Sequence, residues 1–477
     1  MRYGPRVPDA PHDHSRESDG PALPAWPPFV LRARLLTPLA VGGSSWLTDA
    51  AVSVDAAGRI GAVMPWPEWE ARADRVAAGV TGPGVAGPAP DPSLGPVVDV
   101  RPWVVLPGLV DLHVHLPQVP SGGLGAGLDL LTWLERYIFP LERGYDVTTA
   151  EQLAPLVFRA MAAVGTTTFL GYGAIWADSL DATFRAAEAH GIRAVIGKVM
   201  MDRLTYDDAL PRERILETSL RQSAELCERW NGAAKGRLGF AFTPRFAVAC
   251  SADLLRESAS LARHYGAIWQ THLSEDRSEI AAVRDLFPEA RDYVDVYDRA
   301  GGLGPRSVFA HAIHCSDAEL SRLVESDSRV AHCPVSNMFL ASGIMPLARY
   351  LEAGLLVGIG SDVAAAPDLS IFTQLRTGFY TQNALRTVTD DRRTILDPLG
   401  WLRLATLGGA QALGLDAVIG SIEVGKEADL IVVDPTRTLP PGAGVTDDPA
   451  ATMDRLIFRE RPDMIRGAWV RGDLLPA

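Results

Sequence analysis

The sequence predicts an α/β protein, a (β/α)8 TIM barrel with a small β-sandwich domain built from both chain ends. Three observations lead there. Eight short apolar or β-branched runs alternate with helical patterns between Val104 and about Leu415. Histidines and acidic residues gather at the C-terminal ends of those runs, where a barrel of this kind carries its chemistry. Short alternating strands also recur near both termini. A chain of 477 residues, 47% hydrophobic and 22% charged, has enough apolar content for one large core and a smaller satellite.

Residues 1–28, which include "PHDHSRESDGPALPAWPP", are polar and proline-rich, have no period that could bury a face, and are expected to form a disordered extension. His12 and His14 stand there with no strand to fix them. Residues 29–103 carry alternating stretches such as "AAVSVDAAGRIGAV", and are interrupted by "AAGVTGPGVAGPAPDPSLGP", an expected exposed loop. Residues 419–477 contain similar strands in "ADLIVVDP" and "IRGAWVRGDLL", so the two ends are expected to pair in one small β domain.

Residues 104–418 are the expected barrel. Its runs are "VVLPGLVDLHVH", "GTTTFL", "IRAVIGKV", "LGFAFT", "AIWQTH", "SVFAH", "RVAHC" and "VGIGSD". Between them lie patterns such as "AEQLAPLVFRAMAAV" and "ADLLRESASLARHYG", with apolar residues three and four apart. A doubly wound open sheet is the competing architecture, but no phosphate-binding glycine motif joins one of these runs to its following helix.

Forty-five basic against 58 acidic side chains leave a formal charge of −13, which argues against nucleic acid or an anionic membrane surface as partner and favours a small molecule. Cys227, Cys250, Cys315 and Cys333 are too few and too scattered for a disulfide framework, which points to a reducing compartment. With no membrane-length apolar run and no signal-peptide pattern, a cytoplasmic location is expected.

The first run ends in His113 and His115, which two-residue spacing places on one face of a strand. The fourth ends in "TPRF" with Arg245, the fifth in "THLSE" with His272 and Glu275, the sixth in His311, and the eighth in "GSD" with Asp362. Taken singly, each histidine reads as a core residue bonded to backbone, Glu275 as a rim ion pair and Arg245 as a structural one. Together at strand ends, several imidazoles and a carboxylate read as ligands for zinc or iron(II). His314 and His332 are expected to support or pack beside them, and Cys315 and Cys333 to act as small buried hydrophobes. Lys198 ends the third run, whereas a metal-bridging carboxylated lysine belongs at the fourth, where Arg245 stands; one metal is expected.

Such an ion with an open position lowers the pKa of bound water from about 15.7 towards about 7. Asp362 beside that water can take its proton, and Glu275 can protonate a ring nitrogen as the neighbouring carbon is attacked. Loss of ammonia from that carbon makes the reaction a hydrolytic deamination.

These residues and their surroundings resemble the metal-dependent amidohydrolase superfamily and, within it, the guanine deaminase group. The motifs are "PGLVDLHVHLPQ", "LLTWLERYIFPLE", "GTTT", "GKVMMD", "TPRF", "THLSE", "FPEARDYVDVYD", "SVFAHAIH", "AHCPVSN", "GSD" and "LATLGGAQALGL". The resemblance runs from about Phe29 to the C-terminus. It implies that His113, His115, His272, His311 and Asp362 hold one zinc per subunit, with iron(II) as the alternative. It further implies that Glu275 shuttles protons and Asp362 assists, that Gln118 and Arg245 grip the polar edge and carbonyl of a guanine-like ring, that Phe246 stacks on it, and that the protein is a homodimer.

The implied reaction converts guanine to xanthine and ammonia. A pterin or 8-azaguanine presents the same 2-amino-4-oxo edge and is the alternative substrate; an inactive scaffold, the alternative of another class, would have lost ligands. Three departures bear on the pocket: Trp176 in "GYGAIWADSL" where the group carries a histidine, "SDVAAAP" in place of a glycine-rich loop, and "RERPD" near the C-terminus.

Overall fold

All eight apolar runs form strands of one parallel sheet in sequence order. In the computed structural model, which describes residues 20–77, 95–205, 211–391, 393 and 396–477, the barrel strands are β5 (Leu109–His115), β6 (Thr166–Tyr172), β7 (Arg193–Met200), β8 (Leu238–Pro244), β9 (Ile268–Leu273), β10 (Ser307–His311), β11 (Arg329–His332) and β12 (Leu356–Ile359). Helices alternate with them, among them Val147–Ala163, Ala177–His190, Arg212–Trp230, Ala252–Tyr265, Asp317–Glu325 and Ile371–Val388.

Local chemistry sets these elements. In Ala252–Tyr265, Leu254, Leu255, Ser258, Ala259 and Ala262 recur at helical spacing and are the buried face. The Ser251 hydroxyl accepts from the Leu254 amide at the N-terminus, a cap worth about 1 kcal/mol, and Gly266 takes the left-handed conformation that ends the helix. The first and eighth strands meet beyond their ladders, where the Asp362 amide donates to the His113 carbonyl (2.7 Å) and the His115 amide to that of Val363 (3.1 Å). Asp111, fully buried, accepts from both the amide (2.9 Å) and the hydroxyl (2.5 Å) of Ser361 across the same seam.

The other strands are β1 (Phe29–Pro38), β2 (Ser44–Val54), β3 (Ile60–Pro65), β4 (Val97–Pro107), β13 (Leu430–Val433), β14 (Ile465–Val470) and β15 (Asp473–Leu474). They form one mixed seven-stranded sheet, in the order β15-β14-β13-β4-β1-β2-β3, so the two chain ends do share a domain. The expected small β domain from both chain ends is thus built on one continuous hydrogen-bonded sheet. The reason is β4, which pairs parallel with β1 and antiparallel with β13, and so joins the N-terminal strands to the C-terminal ones.

Two boundaries differ from expectation. Val104–His115 reads as one apolar run, but it breaks at Gly108: Val104–Pro107 belongs to the small sheet, and the barrel starts at Leu109. At the crossing, Gly108 donates to the Asp429 carbonyl at 3.0 Å, and a Cβ there would lie 2.0 Å from Thr167 Oγ1. Residues 20–28, expected to be part of a loose extension, pack on the small sheet. Trp469 Nε1 donates to the Pro24 carbonyl (2.9 Å), the Leu474 amide donates to Ala25, and Leu23 lies against the sheet core. His12, His14 and most of the Gly/Pro-rich loop lie outside the described residues.

Arg193, at the start of β7, joins the two domains. Its side chain is 1% exposed, and its guanidinium donates to Asp429 Oδ2 (2.8 Å) and Glu427 Oε2 (2.5 Å) on the small-domain side. Arg193→Ala would leave the buried Asp429 without its cation and Glu427 with Arg471 (2.7 Å) as its remaining close partner, and we expect a loss of about 3–5 kcal/mol in unfolding free energy. Denaturant titration reads this directly, and an unshifted midpoint would show that the pair adds nothing. Among the described residues no helix is long and apolar enough to cross a membrane.

Candidate active site

The barrel brings the five expected ligand residues into one cluster at the C-terminal ends of its strands. His113 and His115 leave β5 together, His272 lies on β9, His311 ends β10, and Asp362 follows β12. All are buried. His272 Nε2 and His115 Nε2 lie 3.3 Å apart, and Asp362 Oδ1 lies 3.2 Å from His113 Nε2 and 3.4 Å from His115 Nε2. His311 Nε2 is 3.7 Å from Asp362 Oδ2 and 3.5 Å from Glu275 Oε2. Two overlapping groups, His113/His115/His272 and His113/His311/Asp362, each have donor atoms within 4.8 Å of one another.

The hydrogen bonds around the rings decide which nitrogens are free. His272 Nδ1 is 2.6 Å from the Arg245 carbonyl, which can only accept, so Nδ1 carries the proton and Nε2 keeps its lone pair. His311 Nδ1 likewise donates to Asn337 Oδ1 at 2.9 Å. Burial, reinforced by the neighbouring imidazoles, pushes His115 and His311 down to about 4 and His272 well below its usual range, so these rings are neutral near pH 7.

The free nitrogens are what a metal site requires. His113 Nε2 and His311 Nε2 are buried with no hydrogen-bond partner, an arrangement that is costly unless a cation is coordinated there. Four imidazoles and a carboxylate suit a borderline divalent ion, and the outer hydrogen bonds to carbonyl and amide oxygens are those that orient metal ligands. The residues present therefore fit one metal ion.

The carboxylates differ. Burial alone would raise Asp362, but the imidazoles of His113, His115 and His311 around it outweigh that and hold Asp362 well below the usual carboxylate range. Ser336 Oγ donates to its Oδ2 at 2.5 Å. Glu275 is pushed well above its usual range by burial, then by Asp362 and Glu279. His311 (φ 70°), Asp362 (φ 52°) and Ser274 (φ 47°) are non-glycine residues in left-handed backbone, a strain of about 1–3 kcal/mol each of the kind found at functional sites.

A cleft of about 350 Å³ opens beside the cluster, lined by His115, His272, Glu275 and Asp362 together with Gln118, Arg245 and Phe246. Leu130, Trp133, Leu134, Leu340 and Ala365 complete it. All three expected substrate-side residues thus line the same cleft as expected ligands.

Glu142 and Tyr172 escaped the sequence reading. Glu142, 2% exposed, accepts from Gln118 Nε2 at 2.6 Å and from Arg245 NH1 at 2.5 Å. Its signal was its place in "LLTWLERYIFPLE". The Tyr172 ring packs on His115 (4.4 Å between centroids), His272 (4.8 Å) and His113 (5.0 Å); it directly follows "GTTTFLG".

Of the flagged departures, only the loop reaches the cleft, through Ala365. Ser361 keeps a hydroxyl and spends it on Asp111. Trp176 donates to the Arg143 carbonyl (3.1 Å) and lines a different cavity together with Lys198, whose Nζ points towards Ser219 at 3.4 Å and away from the imidazoles. Glu460 of "RERPD" accepts from Ser370 and from Thr373 Oγ1 (3.0 Å), which fastens the helix Ile371–Val388. His314 Nε2 donates to the Ser342 carbonyl at 2.8 Å, His332 is buried at the end of β11, and Cys315 and Cys333 are buried free thiols.

A parallel barrel with this donor set at its strand ends defines a metal-dependent hydrolase, and residues 104–475 match the amidohydrolase family model. The chain belongs to the amidohydrolase family. Within that family it is similar to guanine deaminases. It is 40% identical to the guanine deaminase of Escherichia coli over 345 residues, covering 72% of this chain and 75% of that one. It is 34% identical to that of Mus musculus over 376 residues, covering 77% and 82%. The crystal structure of guanine deaminase from C. acetobutylicum with guanine in its active site superposes with a TM-score of 0.82 at 26% identity, covering 94% of this chain and 99% of that one.

Proposed function

We propose that the protein hydrolyses guanine to xanthine and ammonia, with one zinc ion held by His113, His115, His272, His311 and Asp362. The observation that carries this reading is a buried cluster of imidazole nitrogens and Asp362 that lines one cleft together with Glu275, Gln118 and Arg245. The similarity to guanine deaminases supplies the ring.

When bound, the ion supplies a water acidic enough to attack at neutral pH. Asp362, ionised and anchored through Oδ2 by Ser336, is placed to receive the proton. Glu275 delivers a proton to the ring nitrogen beside the attacked carbon, then passes the hydroxyl proton of the tetrahedral carbon to the departing amine, and the proton held by Asp362 returns to Glu275 to restore both carboxyls. Arg245 offers hydrogen bonds to the carbonyl, Gln118 reads the adjoining edge, and Phe246 covers the ring.

Iron(II) suits the same donors, and metal analysis of the purified protein distinguishes the two. A homodimer in the cytoplasm, with one ion per subunit, completes the proposal on the strength of the sequence resemblance. Because Ala365 enters the cleft from the departing loop, 8-azaguanine and pterin are the rings against which guanine should be compared.

Dialysis against a chelator is expected to abolish xanthine formation, and stoichiometric zinc to restore it with one ammonia released per xanthine. Full turnover by protein shown to be metal-free would overturn the reading.

A further inference from the structure

We propose that Glu142 sets the hydrogen-bond polarity of the cleft and so restricts substrates to rings with a lactam edge, an N–H beside a carbonyl. This rests on the guanine reading of the same site. Glu142 is a positioning residue here, acting through the two side chains that meet the ring.

An ionised carboxylate only accepts hydrogen bonds, whereas a glutamine amide has one donating and one accepting end. Glu142 Oε1 takes one N–H of Gln118 Nε2 at 2.6 Å, which fixes the amide so that its Oε1 is turned away from Glu142 and open to a ligand. A flipped amide would set two oxygens against each other at that distance in a buried site, so the orientation is fixed by charge. Glu142 Oε2 takes Arg245 NH1, and the guanidinium, which has donors only, lies 5.2 Å over the Phe139 ring. Phe139 and Glu142 share the short helix Phe139–Arg143, so one element places both contacts to Arg245.

The wall therefore presents an acceptor at Gln118 beside donors at Arg245, both lining the cleft. Its complement is a ring N–H next to a C=O, as in the N1–H and C6=O of guanine. 2,6-Diaminopurine keeps the 2-amino group that would be lost but inverts that edge, with an acceptor nitrogen beside an amino donor. A cleft of fixed polarity rejects it, because a buried polar group left unpaired is costly.

The test is a double-mutant cycle over wild type, Gln118→Ala, Glu142→Gln and the double variant, with kcat and KM measured on guanine and 2,6-diaminopurine and zinc content measured for each. For Glu142→Gln we expect KM for guanine to rise about tenfold or more, kcat to change by less than about threefold, and zinc to be retained. Gln118→Ala should cost about tenfold in kcat/KM in the wild-type background but less than about twofold once Glu142 is replaced. The preference for guanine over 2,6-diaminopurine should narrow in Glu142→Gln. Additive effects, or an unchanged preference, would overturn the assignment.

Should Glu142→Gln fail to fold, the wild type still decides, because equal kcat/KM on the two rings contradicts a fixed polarity. If the wild type ignores guanine but turns over another 2-amino-4-oxo ring, the guanine reading fails, and the same cycle on that ring judges Glu142 separately.

Discussion

Glu275→Gln is expected to lower kcat for guanine by about 100-fold to 10,000-fold while the purified variant keeps its full complement of zinc. The substitution preserves shape and removes the one titratable proton that the site holds ready. Glu275 is buried beside Asp362, and those two features push its carboxyl well above the usual range. Its Oε2 lies 3.5 Å from His311 Nε2, close to the ligand cluster but outside both of the tight donor groups. An amide there cannot pass a proton to the ring nitrogen and recover one from water. A wild-type rate in Glu275→Gln would remove the residue from proton transfer, whereas loss of zinc would make it a ligand.

His113→Ala should have a different signature, in which metal and turnover are lost together. His113 belongs to both donor groups, so its removal breaks each of them. We expect zinc affinity to fall by at least about 100-fold, beyond what loss of a supporting outer residue causes. Xanthine formation should fall at least as far as in Glu275→Gln. The helical content should be retained, because the barrel seam is held by the Asp111 to Ser361 bonds and by backbone pairing that a side-chain truncation leaves in place. Zinc bound at wild-type affinity would show that the ion sits elsewhere.

Much of this site was legible in the sequence because a barrel converts local pattern into position. Each run ends at the same face, so a histidine closing one run is near a histidine closing another, even when they are far apart in the chain. His113, His115, His272, His311 and Asp362 were all found on that logic, and all lie together. Glu142 was not found, because its partners Gln118 and Arg245 are 24 and 103 residues away and it sits on a short helix rather than at a strand end. Tyr172 was missed for a related reason: a tyrosine in an apolar run reads as core, and nothing local says that its neighbours are imidazoles.

Other differences come from features that hydrophobic pattern does not record. Val104–Val110 is apolar throughout, so the passage from one sheet to the other at Gly108 leaves no trace in periodicity; it shows in the bond to Asp429 and the close approach to Thr167. Residues 20–28 have no period because they pack as an irregular strap, through Leu23 and through carbonyls offered to Trp469 and Leu474. Trp176 looked close to the pocket because it follows the second strand, but its side chain turns towards Lys198 and away from the cleft.

Guanine, 8-azaguanine, pterin, adenine and cytosine should be offered in parallel to the zinc-loaded protein, with ammonia release and the ultraviolet change followed for each. Guanine is expected to show the highest kcat/KM, with adenine and cytosine far behind because neither presents the 2-amino-4-oxo edge that Gln118 and Arg245 face. A higher kcat/KM for any of the other four rings would contradict guanine deamination as the function of this site.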